Sequence, residues 1–468
     1  MKLVFPESSS RRAFLQSVAR GAGAAVTIPY FFTAPRAGGA ESTSKNDRPH
    51  VGVIGAGGRG SDDLRSAARF GPIVAIADVD RRQAERARET VGGKPELYGD
   101  FRKLLDRKDI DVVVNGTPDH WHTAVNISAC EAGKDVYAEK PLTLTIDEGR
   151  ILIDAVRRTG RIVQVGTQQR SERQFQTAVE LVRNGRIGKL RQVWVALPYF
   201  STRGGPFATV PVPPQLDWDM YQGQAPEHEY CPQRTHANFR WWYEYAGGIV
   251  TDWGNHHVDI AHWGMDCELS GPLSVEARGL FPNPRTPRHY NTPDRFFSRM
   301  LYANGVEVLY FASLNERLRY GEVQGHQDTS PAEIERLFGK DVPDEIKTMN
   351  RNGIMFIGDR GRVFVNRGGV YGKPVDELRE NPLGAGAWRV RPDPDHMGDF
   401  FQCVKSRKEP ASPVWIQHRT ITACHLTNLS LRLGRKLAWD PQAERITGDA
   451  EADSWRCRPQ RERYRIAG

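Results

Sequence analysis

Apolar and polar positions follow two rhythms along this chain, and the change falls near Leu190. Upstream, strand-like runs alternate with helical stretches rich in Ala, Arg, Glu and Leu, with short gaps between them. "VGVI" (51–54), "IVAIA" (73–77), "DVVVN" (111–115) and "DVYAE" (135–139) are the strand-like runs, the first three rich in Val and Ile. Strand and helix in strict alternation are what a doubly wound parallel sheet requires. A further helix is predicted to begin at Thr145, with Glu148 at capping-box spacing, and to lead into the strand-like "RIVQVG". Downstream the texture is alternating and aromatic: "RQVWVAL", "VEVLYFA" and "IMFIGDRGRVFV", the last with a hairpin turn at "GDRG". These predict a largely antiparallel sheet, and two late helical patterns starting near His396 and Gln417 are expected to pack back on the body of the protein.

The first forty residues are of another kind. "SSSRRAFLQ" precedes the mildly apolar "GAGAAVTIPYFF" and then small residues up to Ala40, the form of a twin-arginine export signal with Arg11 and Arg12 as the pair. Pro29 interrupts the apolar run, which is too short for a good membrane span. Residues 1–40 hold five basic residues (Lys2, Arg11, Arg12, Arg20, Arg36) and one acid (Glu7), so without them the formal charge falls from +8 to +4. No Lys/Arg stripe interleaved with aromatics follows, which makes nucleic acid a poor partner. The six cysteines are scattered without any C-x-x-C pair, neither a disulfide framework nor a zinc pattern.

The first strand runs into "GAGGRG", with Gly55, Gly57 and Gly60 in G-x-G-x-x-G spacing and a helix pattern behind them. Such glycines make a tight turn and let the backbone approach a pyrophosphate, which then sits at the positive end of the helix. Gly58 and Arg59 fall inside the same turn. Asp78 ends the second strand, eighteen residues after Gly60, where a carboxylate accepts hydrogen bonds from adenosine ribose hydroxyls and repels a 2'-phosphate. NAD is therefore expected, with NADP kept open by Arg81 and Arg82. Ligands of open α/β sheets bind outside the carboxyl ends of the strands, so "NGTPDHWH" (115–122), with Thr117, Pro118 and His122, and "EKP", with Glu139 and Lys140, should face the dinucleotide. By position, Lys140 can reach a substrate oxygen near the nicotinamide.

In the second region, "TDWGNHHVD" (251–259) follows a double glycine. On a helix, Asp252, His256 and Asp259 fall at i, i+4 and i+7 and share a face. A zinc or iron site is the competing reading, but His257 and His262 lie off that face, and no metal is assigned. Upstream, Trp242 in "RWWYEYAGG" is the aromatic expected to stack on a pyranose, against the alternative that aromatics this dense form core or interface.

Together "GAGGRG", "TPDHWH", "AEKPL" and "GGIVTDWGNHHVD" make the chain resemble the glucose-fructose oxidoreductase, inositol dehydrogenase and rhizopine catabolism family, Gfo/Idh/MocA. "HMGDFFQCVKSRKEP" and "LRLGRKLAWDP" look like the C-terminal region of its exported bacterial members. The resemblance implies an α/β fold: an N-terminal Rossmann dinucleotide-binding domain followed by an α+β domain with a large, mostly antiparallel sheet. The expected boundaries are 1–40 signal, 41–49 linker, 50–170 Rossmann domain and 171–468 substrate-binding and oligomerisation domain. It also implies that Lys140 and His256 flank the reacting carbon. His256 is then the general base, Asp252 its orienting or tuning partner, Lys140 the positive group facing a developing oxyanion, and Asp259 an acceptor for a neighbouring hydroxyl.

The resulting expectation is an exported, periplasmic NAD(P)-dependent oxidoreductase acting on a carbohydrate or cyclitol hydroxyl, a homo-oligomer by resemblance. Free nicotinamide cofactor is scarce outside the cytoplasm, so the cofactor should stay tightly bound and be recycled in place. Its rivals are a redox-neutral glycoside hydrolase or lyase and a catalytically inactive sugar-binding protein.

Overall fold

The computed structural model describes residues 48–466, apart from residues 284, 318–334, 338–341, 348–350 and 394 and the side chains of 313–317 and 347. The expected export signal and nearly all of the linker therefore lie outside the described residues. No helix among those described is long and apolar enough to cross a membrane.

Six parallel strands form the first sheet: β1 (Val51–Ile54), β2 (Ile73–Ala77), β3 (Glu96–Tyr98), β4 (Val112–Asn115), β5 (Asp135–Ala138) and β6 (Val163–Val165), in the order β3-β2-β1-β4-β5-β6. Each strand ladder is parallel, with Val51 opposite Val112 and Val112 opposite Asp135. β1 and β4 are buried along their whole length, which is why they read as continuous apolar runs. The order reverses between β1 and β4, and the loops after those two strands flank the crevice that this reversal opens. β3 was not expected: three residues, only one of them aliphatic, carry too little pattern. The helix Ile146–Thr159 does start after Thr145, but Thr145 makes no side-chain cap bond. Glu148 instead accepts the backbone N–H of Leu144 at 3.1 Å and the hydroxyl of Thr123 at 2.7 Å.

The second sheet has nine strands: β7 (Leu190–Tyr199), β8 (Ser274–Leu280), β9 (Arg295–Leu301), β10 (Glu307–Arg317), β11 (Gly353–Gly358), β12 (Arg362–Asn366), β13 (Gly369–Tyr371), β14 (Leu437–Asp440) and β15 (Arg445–Thr447). Their order is β13-β12-β11-β7-β10-β9-β8-β14-β15, and every pairing is antiparallel except β10 with β7. The helices Ile249–Met265, Val414–Leu433 and Arg173–Arg183 pack against it. The first is buried all round except at Asp252.

The late helix His396–Ser406 returns to the first sheet. Met397, Phe400 and Phe401 share a core cluster with Val51, Val53, Val112 and Val114, and Phe400 meets Tyr137 edge-on at 5.7 Å. The parallel-sheet half is thus completed by residues more than two hundred positions downstream of its last strand.

Candidate active site

The glycine turn is built to stay open toward a ligand. Gly55 has φ +77°, and a Cβ on Gly60 would stand 1.9 Å from the Gly55 carbonyl oxygen, so both positions admit only glycine. The helix Gly58–Ala67 that follows has no side-chain cap and no acid in its first turn. Its first N–H groups are left for an outside acceptor, and Gly58 faces open space, which fits a pyrophosphate. Asp78, just beyond β2, accepts the backbone N–H of Ala56 at 2.8 Å and that of Asp80 at 2.9 Å. Burial pushes its carboxyl up to about 6 against the pull of these donors.

Arg59 turns from the glycine helix toward the Lys140 loop, with Nε 3.2 Å from Glu139 and a terminal nitrogen 3.0 Å from Asp63. Glu139 also accepts from Gln168 Nε2 at 2.9 Å and from the Lys140 N–H at 3.1 Å. Buried Asp63 is held well above the ordinary carboxylate range by desolvation, then by Glu139. Thr117 donates its hydroxyl to Asn115 at 2.7 Å, and Pro118 leads into the helix Asp119–Glu131. His122 does not reach toward a ligand as expected. It is fully enclosed, and its ring nitrogens meet the carbonyls of Pro141 and Thr117 at 2.5 and 2.8 Å, tying the two switch-side loops together.

Lys140 and the helix Ile249–Met265 meet directly. Lys140 Nζ donates to Asp252 Oδ1 at 2.5 Å and to the Asp252 carbonyl at 3.1 Å, and Arg240 Nε lies 3.3 Å from the same Oδ1. Burial opposes ionisation of Asp252, yet Lys140 and Arg240 outweigh it and hold the carboxyl down to about 2. Asp252 was expected to orient His256; it is spent on Lys140 instead. His256, one turn on, has its Nδ1 enclosed without a hydrogen-bond partner. Burial, then the charges of Lys140 and Arg367, push its imidazole well below the ordinary value, so it is neutral near pH 7.

Two expected substrate contacts lie elsewhere. A helix rises about 1.5 Å per residue, so the face shared by Asp252, His256 and Asp259 runs about 10 Å from the mouth of the site into the core. Asp259 is wholly buried there, bound at both oxygens by Arg170 at 2.7 Å and by Gln417 Nε2 at 2.7 Å. It has no free lone pair aimed at solvent-accessible space and is corrected to a core ion pair. Trp242 is likewise fully buried, with Arg234 stacked 3.7 Å above its ring and its Nε1 donating to the Gln233 carbonyl. The dense aromatics are core.

Sequence reasoning missed Arg240, Asp119, Gln169 and Arg367. Asp119 sits inside the "TPDHWH" loop already singled out; burial raises its carboxyl to about 7, partly opposed by Arg240 and Lys140. Among the described residues no group of three His, Cys, Asp or Glu is placed to hold a metal ion. His257 contacts Asn352 and Gln169, and His262 contacts the Tyr302 hydroxyl.

The crevice is bridged at its β2 end. Segment 213–223 zips onto the residues after β2, with Arg81 N–H to the Gln215 carbonyl at 3.0 Å and Asp217 N–H to the Val79 carbonyl at 2.9 Å. It also receives Trp121 Nε1 on the Met220 carbonyl at 2.9 Å and His120 on the Tyr221 carbonyl at 2.7 Å. Arg461, Arg463 and Tyr464 anchor its Asp219 from the C-terminal end.

A parallel sheet with an open glycine turn, an acid at the end of β2 and a lysine beside an aspartate-histidine helix define a dinucleotide-binding α/β protein. Residues 50–167 match the Gfo/Idh/MocA oxidoreductase family's NAD-binding Rossmann fold, and residues 199–312 and 383–466 match its C-terminal α/β domain. The chain belongs to this family. Among its relatives, an inositol 2-dehydrogenase of Klebsiella pneumoniae is 30% identical over 142 residues, 30% of this chain and 42% of the relative. A glycosyl hydrolase family 109 protein of Shewanella pealeana is 33% identical over 156 residues, 31% of this chain and 34% of the relative. The matches thus span less than half the length of these curated relatives. The fold is shared with an aldose-aldose oxidoreductase of Caulobacter crescentus, solved with glycerol, at TM-score 0.58 and 17% identity over 84% of this chain and 99% of that one.

Proposed function

We propose that this protein moves a hydride between a sugar or cyclitol hydroxyl and a tightly held nicotinamide cofactor, NAD in preference to NADP. The observation that carries the reading is the Lys140–Asp252 contact beside a neutral His256, at the crevice where the glycine turn and Asp78 converge. A bound nicotinamide supplies the hydride acceptor and donor; the chain supplies the rest. His256 Nε2, the ring nitrogen not enclosed, takes the hydroxyl proton as the carbon is oxidised, and returns it in reduction. Lys140, fixed by the Asp252 carboxylate that Arg240 also pairs, holds positive charge against the oxygen on which negative charge develops. Gly55, Gly57, Gly58 and Gly60 admit the pyrophosphate, Asp78 takes the ribose hydroxyls, and Thr117 and Pro118 line the opposite lip.

Tight retention is supported by segment 213–223, which joins the lip after β2 to the lip after β4 across the adenosine end of the crevice. That suits a protein exported through the twin-arginine route into the periplasm, which we propose from Arg11 and Arg12. A homo-oligomer is proposed from the family resemblance. A second reading, redox-neutral glycoside cleavage with the cofactor returned to its starting state, is favoured by the kinship to the Shewanella pealeana protein. Identifying the nucleotide released on denaturation, then screening sugars and cyclitols for reduction of the bound cofactor, separates the two. Stoichiometric reduced nicotinamide supports the dehydrogenase reading; glycoside cleavage without it supports the second. Absence of any bound or bindable dinucleotide overturns both.

A further inference from the structure

Arg367 comes from the turn between β12 and β13, far in sequence from every other residue of the site. Its guanidinium lies 4.6 Å over the ring of Trp253, and Trp253 is one turn from His256, the two rings 6.1 Å apart. Gln169 links them a second way. With its amide turned to satisfy its neighbours, its nitrogen donates to the His256 carbonyl at 3.0 Å and its oxygen accepts from Arg367 Nε at 3.2 Å. The guanidinium is thus clamped by its face and by Nε, while its terminal N–H groups form no ion pair within 4 Å among the described residues. An arginine on an exposed turn has no structural need for such a clamp. Held in this way it is a preorganised fork, whose planar donors match the two oxygens of a carboxylate.

The charges around it point the same way. Lys140 and Arg240 share the single carboxylate of Asp252, and Arg367 adds a third cation near His256. Glu172 is the acid that feels Arg367; its carboxyl is raised by burial, partly offset by Arg367, and it is hydrogen-bonded by Gln174 at 2.8 Å. Even with Glu172 ionised, Lys140, Arg240 and Arg367 exceed Asp252 and Glu172 by one positive charge.

We infer that Arg367 recognises an anionic substituent of the substrate, so that the sugar oxidised at His256 is a sugar acid. The inference rests on the proposed sugar oxidoreductase reading and deepens it. One arm of the substrate, a carboxylate, is taken by the free N–H groups of Arg367, while the reacting hydroxyl lies between His256 and Lys140. Gln169 and Trp253 fix the span between the two points, so discrimination is positional as well as electrostatic. A neutral sugar leaves the fork facing water or a counter-ion and gains nothing from it.

The test uses the protein purified with its bound cofactor and three matched pairs: glucose and glucuronate, galactose and galacturonate, mannose and mannuronate. Binding is measured by calorimetry, and single-turnover cofactor reduction by absorbance, for wild type, Arg367→Gln and Arg367→Lys; melting temperature and bound nucleotide report that each variant is folded. At least one acid should bind about 10- to 100-fold tighter than its neutral partner, the range expected of a charge-assisted pair. That ratio should fall to near one in Arg367→Gln and partly recover in Arg367→Lys. An unchanged ratio in Arg367→Gln, or no acid favoured in wild type, overturns the inference. Equal cofactor reduction by acid and neutral sugar in all three proteins overturns it while leaving the oxidoreductase reading in place. Arg367-dependent binding of an acid, with no sugar ever reducing the cofactor, supports the anion site and rejects the oxidoreductase reading.

Discussion

Asp252 holds Lys140, and it leaves His256 alone. The ammonium of Lys140 sits 2.5 Å from Asp252 Oδ1, whereas the buried Nδ1 of His256 has no hydrogen-bond partner among the described residues. The two groups expected to act on one hydroxyl are therefore set up independently: the charge of Lys140 by its carboxylate, the neutrality of His256 by burial and by surrounding cations. Neutral imidazole is the form able to accept a proton.

Asp259 should behave as a structural acid. Removing one partner of a buried ion pair leaves the other uncompensated, so Asp259→Ala should lower stability by about 3–5 kcal/mol, read by urea unfolding. Protein that remains folded should keep its substrate KM. A normal unfolding midpoint with a raised KM would return Asp259 to the substrate site.

Segment 213–223 should govern cofactor loss. Asp219→Ala removes the anchor for Arg461, Arg463 and Tyr464 and should speed dissociation of bound nucleotide by about tenfold, modest because that carboxylate is partly exposed. Bound nucleotide remaining after timed dialysis measures it. Identical retention in wild type and variant contradicts the role given to this segment.

Asp119 predicts a pH dependence. Its folded value of about 7 lies above its unfolded value of 3.8, so ionisation opposes folding, and the stability present below pH 4 is lost as pH rises toward 7. In cofactor-free protein, Asp119→Asn should match wild type near pH 4 and exceed it at pH 8 by roughly 1–2 kcal/mol, less than the ~4 kcal/mol of the full displacement, since buried sites relax. A constant difference across that range, followed by thermal unfolding, would refute it.

The first sheet was legible because its information is local: buried parallel strands read as apolar runs, and a glycine turn has fixed spacing. The site was legible only where a short segment carries it. Spacing put Asp252, His256 and Asp259 on one face, but spacing says nothing of depth, and that face sinks from solvent to core within two turns. The pairing of Asp252 with Lys140, 112 residues away, and the approach of Arg367 to Trp253 depend on how the two sheets meet. No local pattern encodes that. The same holds for Met397 and Phe400, which complete a core begun at Val51.

Export is tested at the other end of the chain. Replacing Arg11 and Arg12 together by Lys keeps the charge but removes the pair that the twin-arginine machinery reads, so precursor should accumulate in the cytoplasm. Unchanged export, judged by fractionation, removes the periplasmic reading and weakens the case for a captive cofactor.

The most direct measurement is single-turnover reduction of the bound cofactor by a true substrate, followed in wild type, His256→Ala and Lys140→Ala with nucleotide content and melting temperature on the same samples. His256→Ala should stay folded and loaded while reduction slows by about 10²–10⁴-fold, the usual contribution of a positioned acid-base group. Lys140→Ala should lose about 10²–10³-fold, as when one preorganised donor to a developing oxyanion is removed. If loaded, folded His256→Ala reduces its cofactor as fast as wild type, hydride transfer at this site does not depend on His256, and the proposed mechanism is wrong.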